Sequence, residues 1–354
     1  MKVKADTLLI LTPGFPKDED DSTSLPFPQT FVRSLKENFP ALNIIIVALE
    51  YPFFADEYQW HHCRVISFNG WKKGKVAHLL LWLRIWKKLK KIRKENNLIG
   101  LLSFWCGECA LIGNRFGRRF NIQHHCWIQG QDAKKENRYV KRIRPDAEEL
   151  VAISDFIQLE FDQNHNIKPN NVIPPGLDTR LFNKESIQKD IDILGAGSLI
   201  PLKQYDIFVD VVYEIKKQLP GIKIVLCGKG LEQIALQKKI NELRLDNTVL
   251  LTGELPHREV LYYMQRARVF LHPSSYEGFS GGCMEALYAG AHVISFTRPM
   301  KDEIKNWHIV NSKERMIQKA TDLLQSPQTR YDRVLPFTIE NSVKAMIRLI
   351  TIKK

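Results

Sequence analysis

The stretch Val269 to Leu287, V-F-L-H-P-S-S-Y-E-G-F-S-G-G-C-M-E-A-L, joins a short apolar run, a Ser- and Gly-rich turn and a helical pattern. Val269–Leu271 predicts a strand, because an apolar run bounded by turn residues is buried on both faces. Ser280 is suited to cap a helix starting near Gly281, its hydroxyl accepting from the amide of Gly282 or Cys283. Free amides and the positive end of the helix dipole then form an anion site able to hold a diphosphate. Gly281 and Gly282 let phosphate oxygens come close to the backbone. Glu285 falls about one turn into the helix, where a carboxylate can accept from both hydroxyls of a ribose. Glu277, with seven residues between it and Glu285, sits on the loop before the helix. Two glutamates at this spacing are ordinary solvated side chains when alone; between a strand and a capped helix they point to chemistry.

The same alternation runs along the whole chain. Strand candidates are Thr7–Leu11, Ile44–Ala48, Leu98–Phe104, Ile122–Ile128 and Leu150–Ile153, then Asp192–Gly195, Lys223–Cys227, Thr248–Leu251, Val269–Leu271 and His292–Ser295. Helical patterns such as Ile207–Gln218, Leu231–Asn241 and Met284–Ala289 lie between them. Apolar strands spaced by helices give parallel sheets, so the fold class is α/β with two Rossmann-like, doubly wound domains. Pro169, Pro174, Pro175 and Gly176 punctuate the break. The expected domains are residues 1–172 and 191–336, joined by a linker at 173–190 and followed by an amphipathic helix within 337–354. Ligands of open parallel sheets sit beyond the carboxyl ends of the strands, so a cleft between the domains is the expected site.

Composition narrows the class. The 354 residues carry 52 Lys+Arg against 39 Asp+Glu, and the net charge of +13 favours anionic partners. No nucleic-acid-binding module is recognisable, so nucleic acid is not expected. No run of about 18 apolar residues is present to span a membrane. The basic N-terminus is followed only by Leu8–Leu11 and then Pro13-Gly14, which predicts a strand and loop rather than an export signal. Six cysteines spread over this length fit a reduced, cytoplasmic setting. Trp105-Cys106-Gly107-Glu108-Cys109 has a redox-motif spacing, but Glu replaces the usual Pro and no second C-x-x-C completes a metal site, so a structural role is expected. Gly195-Ala196-Gly197 mimics a dinucleotide fingerprint without its third glycine. His78 to Lys94, HLLLWLRIWKKLKKIRK, gathers Leu81, Trp82, Ile85, Leu89 and Ile92 on one side and Arg84, Lys87, Lys88, Lys91 and Lys94 on the other. Such a helix covers a sheet, and its basic flank suits an anionic membrane surface at about 1 kcal/mol per charge.

The chain resembles family 4 of the retaining glycosyltransferases, which have the GT-B fold. Val172-Ile173-Pro174-Pro175-Gly176-Leu177-Asp178-Thr179-Arg180-Leu181-Phe182 is similar to the family's I-P-N-G-V-D-x-x-x-F segment. Gly197-Ser198-Leu199-Ile200-Pro201-Leu202-Lys203 resembles its G-R-L-x-x-x-K, and Cys227-Gly228-Lys229-Gly230 and Leu251-Thr252-Gly253-Glu254-Leu255 resemble its G-x-G and F-x-G-x-V. The likeness covers roughly residues 150–300 in family order. It implies two domains facing across a cleft, a final helix that returns to the first domain, and sugar transfer from a nucleotide-sugar donor to a glycan or lipid-linked hydroxyl acceptor. Cell-surface polysaccharide or glycolipid synthesis, on the inner face of the membrane, is the implied setting.

By position, Lys203 would neutralise the diphosphate, Glu285 hold the ribose, and the amides around Gly281–Cys283 bind phosphate. Gly253, Glu254 and Leu255 would frame the base, Gly230 belongs to the donor set, and Glu277 would approach the sugar. Gly14 follows the first strand where the family places a loop against donor and acceptor. No metal or cofactor is implied, since Lys203 and the helix amides supply the charge that stabilises a departing nucleoside diphosphate. Two positions depart from the family: Ser198 stands where Arg is usual, and Gln129 of Gln129-Gly130-Gln131-Asp132 stands where a His is usual. Gln129 can donate to a donor oxygen but cannot titrate. An epimerase of the same fold and a non-catalytic nucleotide-sugar-binding protein are the alternatives.

Overall fold

The computed structural model describes every residue except 1–3, 22, 23, 73, 184, 186, 353 and 354. The chain divides into two compact units, 1–176 with 339–354, and 177–338.

The first unit alternates β1 (Asp6–Gly14), α1 (Pro26–Asn38), β2 (Asn43–Tyr51), β3 (Glu57–Trp60), β4 (Cys63–Ser67), α2 (Lys75–Glu95) and β5 (Asn97–Phe104). It continues through α3 (Glu108–Phe120), β6 (His124–Ile128), α4 (Arg138–Ile143), β7 (Leu150–Ala152), α5 (Asp155–His165) and β8 (Asn171–Val172). The strands form one eight-stranded sheet, β3-β4-β2-β1-β5-β6-β7-β8, antiparallel only at the β3–β4 edge. The central runs Leu8–Leu11 and Ile44–Ala48 are buried on both faces, which is why they read as unbroken apolar stretches. Leu81, Ile85, Leu89 and Ile92 of α2 pack on Leu9, Ile45, Val47 and Leu101. The expected core face of that helix is the one that packs.

In the second unit β9 (Ile191–Ala196), α6 (Tyr205–Gln218), β10 (Ile224–Cys227), α7 (Gln233–Glu242), β11 (Val249–Gly253) and α8 (His257–Arg266) come first. They are followed by β12 (Ala267–His272), α9 (Gly281–Tyr288), β13 (His292–Ser295), β14 (Trp307–Ile309) and α10 (Lys313–Gln325). The six strands are parallel, in the order β11-β10-β9-β12-β13-β14. Strand order reverses between β9 and β12, so a crevice opens at their carboxyl ends. Phe208, Val209, Val212 and Ile215 of α6 pack with Ile193, Leu226 and Val269 to form the core beneath it.

The chain then re-enters the first unit as α11 (Ile339–Thr351), which buries Val343, Met346, Ile347 and Ile350. A Cβ at Gly100 of β5 would lie 2.5 Å from Ile350 Cγ2, so glycine lets this helix seat without a shift of Ile350. The Leu177 amide donates to the Phe337 carbonyl (3.0 Å), and Ser342 Oγ donates to the Pro174 carbonyl (2.7 Å). The outgoing and returning segments are therefore neighbours.

Candidate functional site

A cavity of about 440 Å³ lies in the second unit at the switch point, lined by residues from the ends of β9, β10 and β12 and from α9. Its floor depends on two close backbones. Gly228 has φ +149°, and a Cβ there would fall 1.9 Å from the Gly197 carbonyl oxygen, so no side chain fits. Gly197 has φ +153°, and a Cβ would meet the Tyr205 hydroxyl at 2.8 Å. That hydroxyl is fully buried and has no hydrogen-bond partner among the described residues.

Ser280 caps α9 from extended backbone, its Oγ accepting from the Cys283 amide at 3.2 Å. The cap consumes one amide expected to be free: Cys283 binds Ser280, and its thiol is buried. The amides of Gly281 and Gly282, whose residues line the cavity, remain for an anion.

Three side chains meet beside them. Lys203 ends a 3₁₀ turn at Pro201–Lys203 and forms an ion pair with Glu277. His272, at the end of β12, brings Nε2 to 3.4 Å from the same Glu277 oxygen. The two loops are fastened at one point: the Leu202 carbonyl accepts from the Ser275 amide (3.0 Å) and from Ser274 Oγ (3.1 Å). Burial pushes the Glu277 carboxyl up, but the His272 contact and the Lys203 charge outweigh it and hold the group at about 2. Burial keeps His272 below the usual imidazole range. Glu277 is thus a fixed carboxylate, built to accept hydrogen bonds and not to donate a proton.

Glu285 faces the cavity and is already engaged, with His257 Nε2 2.8 Å from its Oε1. The hydrogen bond that its ring N–H donates to the Glu285 carboxylate raises His257 above the usual imidazole range, against its partial burial. His257 opens α8, and its partner is 28 residues away in sequence.

The segment that builds this cavity, residues 178–333, matches the family described as Glycosyl transferases group 1. That segment belongs to the family. Among similar proteins, the 2-deoxystreptamine N-acetyl-D-glucosaminyltransferase of Niallia circulans is 30% identical over 154 residues, 44% of this chain and 37% of that protein. The phosphatidylinositol N-acetylglucosaminyltransferase gpi3 subunit of Schizosaccharomyces pombe is 25% identical over 262 residues, 72% of this chain and 58% of that one. The chain therefore spans between about a third and three fifths of the length of these two relatives. The pneumococcal O-GlcNAc transferase GtfA, solved in complex with UDP and GlcNAc, superposes with a TM-score of 0.66 at 13% identity, covering 98% of both chains. The likeness establishes the two-domain GT-B fold.

Within the group 1 domain the cavity collects Ser198, Lys203, Glu254, Leu255, Glu277, Ser280, Gly281, Gly282 and Glu285. Gly253 does not line it; at φ +73° it turns the chain, and its carbonyl accepts from the Gly228 amide at 2.8 Å. Gly230 also stands apart. A Cβ there would lie 2.2 Å from the Leu199 carbonyl oxygen, and the residue lines a neighbouring hollow on α7. Its glycine is required by packing. Lys229, between Gly228 and Gly230, lines the cavity and is exposed, 3.6 Å from Glu254.

The other two predicted residues lie in the first unit. Gly14 ends β1, where a Cβ would stand 3.2 Å from Leu25 Cδ1 and Tyr51 Cβ. Gln129 precedes a 3₁₀ turn at Gly130–Ala133, and its amide donates to Asp132 Oδ2 at 2.7 Å. His124 points into the sheet core, bonded to Ser103 Oγ (2.9 Å) and driven down to about 3 by burial. Cys106 and Cys109 are buried and not joined by a disulfide, and burial holds the Cys109 thiol well above its usual value, which disfavours the thiolate there.

Proposed function

We propose that the chain transfers a sugar from a nucleotide-sugar donor to a hydroxyl of a glycan or lipid-linked acceptor, with retention, in polysaccharide or glycolipid synthesis. The observation that carries this is the convergence, in one cavity, of the capped end of α9, the Lys203–Glu277–His272 cluster and Glu285. A diphosphate on the Gly281 and Gly282 amides meets Lys203 on one side, and Lys229 supplies a second cation near Ser198, where the resembled family carries Arg. Together they offset the charge that develops as the nucleoside diphosphate departs, so no metal is assigned to the step. Glu277, ionised throughout the working range, accepts hydroxyl hydrogens of the sugar and fixes its orientation. Glu285 turns from His257 to the ribose when the donor enters.

The relatives named as N-acetylglucosaminyltransferases and the neighbour solved with UDP put UDP-N-acetylglucosamine first among donors to try. A panel of nucleotide sugars should be screened for thermal stabilisation and for hydrolysis. A ligand at about a hundred times its Kd adds roughly 2.7 kcal/mol, a readily visible rise in Tm. A panel in which none stabilises or is turned over would remove the proposal. Stabilisation without turnover would reduce it to donor binding.

A further inference from the structure

At one edge of the second sheet, two histidines on neighbouring strands form a hydrogen-bonded chain of fixed direction. His292 of β13 has Nε2 3.0 Å from the Arg330 carbonyl oxygen, and its Nδ1 lies 3.0 Å from Nε2 of His308 on β14. A carbonyl only accepts, so His292 Nε2 carries the hydrogen. Burial above all holds His292 below the usual imidazole range and pushes His308 down to about 4, with Lys319 of α10 adding to both. Both rings are therefore neutral at neutral pH. The bare Nδ1 of His292 accepts from His308 Nε2, which leaves His308 Nδ1 as an acceptor. That nitrogen has no partner among the described residues.

His308 borders a hollow. β14 is the last strand of the sheet, and against it lies a space of about 690 Å³. His308, Lys319 and, from the preceding loop, Arg298, Lys305 and Asn306 line it. A second hollow of about 630 Å³ shares Arg298, Ile309 and Val310 with the first and adds Asn311 and Arg315. The two adjoin as one groove with Arg298 in both walls. Arg298, Lys305, Arg315 and Lys319 have no carboxylate partner among the described residues, although Asp302 and Glu303 line the same groove. None of the groove's residues lines the donor cavity.

This mixture selects the ligand. Unpaired cations call for an anion, which guanidinium and ammonium groups hold by charge-assisted hydrogen bonds. A bare imidazole nitrogen and two carboxylates call for hydroxyl donors, which a simple polyanion lacks. Single-stranded nucleic acid would need exposed aromatic platforms. Here Trp307 is buried and donates to Ser295 Oγ at 2.8 Å, and Phe296 packs against the core. A polyhydroxylated anion satisfies both sets of groups at once. We propose that the joined hollows along β14 bind an acidic carbohydrate chain, its anionic groups on Arg298, Arg315, Lys305 and Lys319 and a sugar hydroxyl donating to His308 Nδ1. The inference does not rest on sugar transfer at the donor cavity.

Calorimetric titration of the full chain with three probes tests it. A hyaluronan hexasaccharide is acidic and hydroxylated, chitohexaose is its neutral counterpart, and an acrylate oligomer of matched charge has carboxylates without hydroxyls. The hyaluronan hexasaccharide should bind at least about tenfold more tightly than either of the others. Arg298→Ala with Lys319→Ala should weaken it at least about tenfold, whereas Glu285→Ala should leave it unchanged. In nitrogen NMR of the histidine-labelled chain, free His308 should show a bare Nδ1 and a protonated Nε2, and the Nδ1 signal should shift when the hexasaccharide binds. Failure of the hexasaccharide to bind would overturn the inference, as would equal binding of chitohexaose. An acrylate oligomer that binds as tightly would make the groove a general polyanion surface and overturn it too. So would a folded Arg298→Ala, Lys319→Ala variant that binds like wild type, or a His308 signal that binding leaves unmoved.

Discussion

Two neighbours, His272 and Lys203, hold the Glu277 carboxyl at about 2 against its burial. If His272 holds the carboxylate in place, His272→Phe should leave nucleotide affinity unchanged while lowering kcat about tenfold. Because His272 helps to depress the Glu277 pKa, its loss should also move the acid limb of the kcat–pH profile upward. A flat profile with normal kcat would leave His272 as a packing residue. Lys203→Ala should cost at least about two orders of magnitude in rate, with activity surviving EDTA in the parent chain. Strict dependence on added Mg²⁺ or Mn²⁺ would contradict the assigned electrostatics. His257 gives a pH dependence of opposite sense. Its raised pKa means that the His257–Glu285 pair is complete when the imidazole is protonated and weakens as pH rises through that pKa. Glu285 is then freer to take ribose, so nucleoside diphosphate should bind more tightly toward pH 8 than at pH 6. In His257→Ala this trend should flatten, with the gain in affinity at the acid end. Glu285→Ala should raise Kd about tenfold or more, measured by calorimetric titration.

α9 is eight residues long, and its first turn depends on one hydroxyl. Ser280→Ala should destabilise the second unit by about 1 kcal/mol and weaken diphosphate binding, since the turn that presents the Gly281 and Gly282 amides loses its cap. Chemical denaturation followed by nucleotide titration separates the two effects. This element is legible in sequence because everything that defines it is local: a strand, a cap and two glycines within fifteen residues of one another. The β3–β4 hairpin is not. Both strands are short, β3 is a largely polar edge strand, and the turn is made by His61 (φ 42°) and His62 (φ 62°), where Asn or Gly would have signalled it. β8, two residues long, and β14, after a charged loop, leave no periodic trace either. The same limit hides His257 and His272 from a reading of motifs: each acts through a partner that only the packed loops bring near. Gly230 shows the converse, a glycine within a motif-like run whose necessity comes from the Leu199 backbone.

The two units bear on the whole molecule through α11. Gly100→Ala forces a methyl to within 2.5 Å of Ile350 Cγ2, and overpacking of this kind costs about 1–3 kcal/mol. The loss should fall on the transition of the first unit, while nucleotide binding by the second stays at its parent affinity; a calorimetric scan with and without nucleotide resolves the two. Equal loss in both transitions would show that the units unfold as one. The chain's departure at Gly176 and its return at Ile339 also set a clock for synthesis. A ribosome releases the first sheet early, yet the helix that covers Gly100 comes out only after the whole second unit, roughly ten to thirty seconds later at about 5–20 residues per second. During that interval the second unit, contiguous in sequence, can finish folding. The first holds an uncovered apolar strip that invites chaperones or aggregation until α11 arrives.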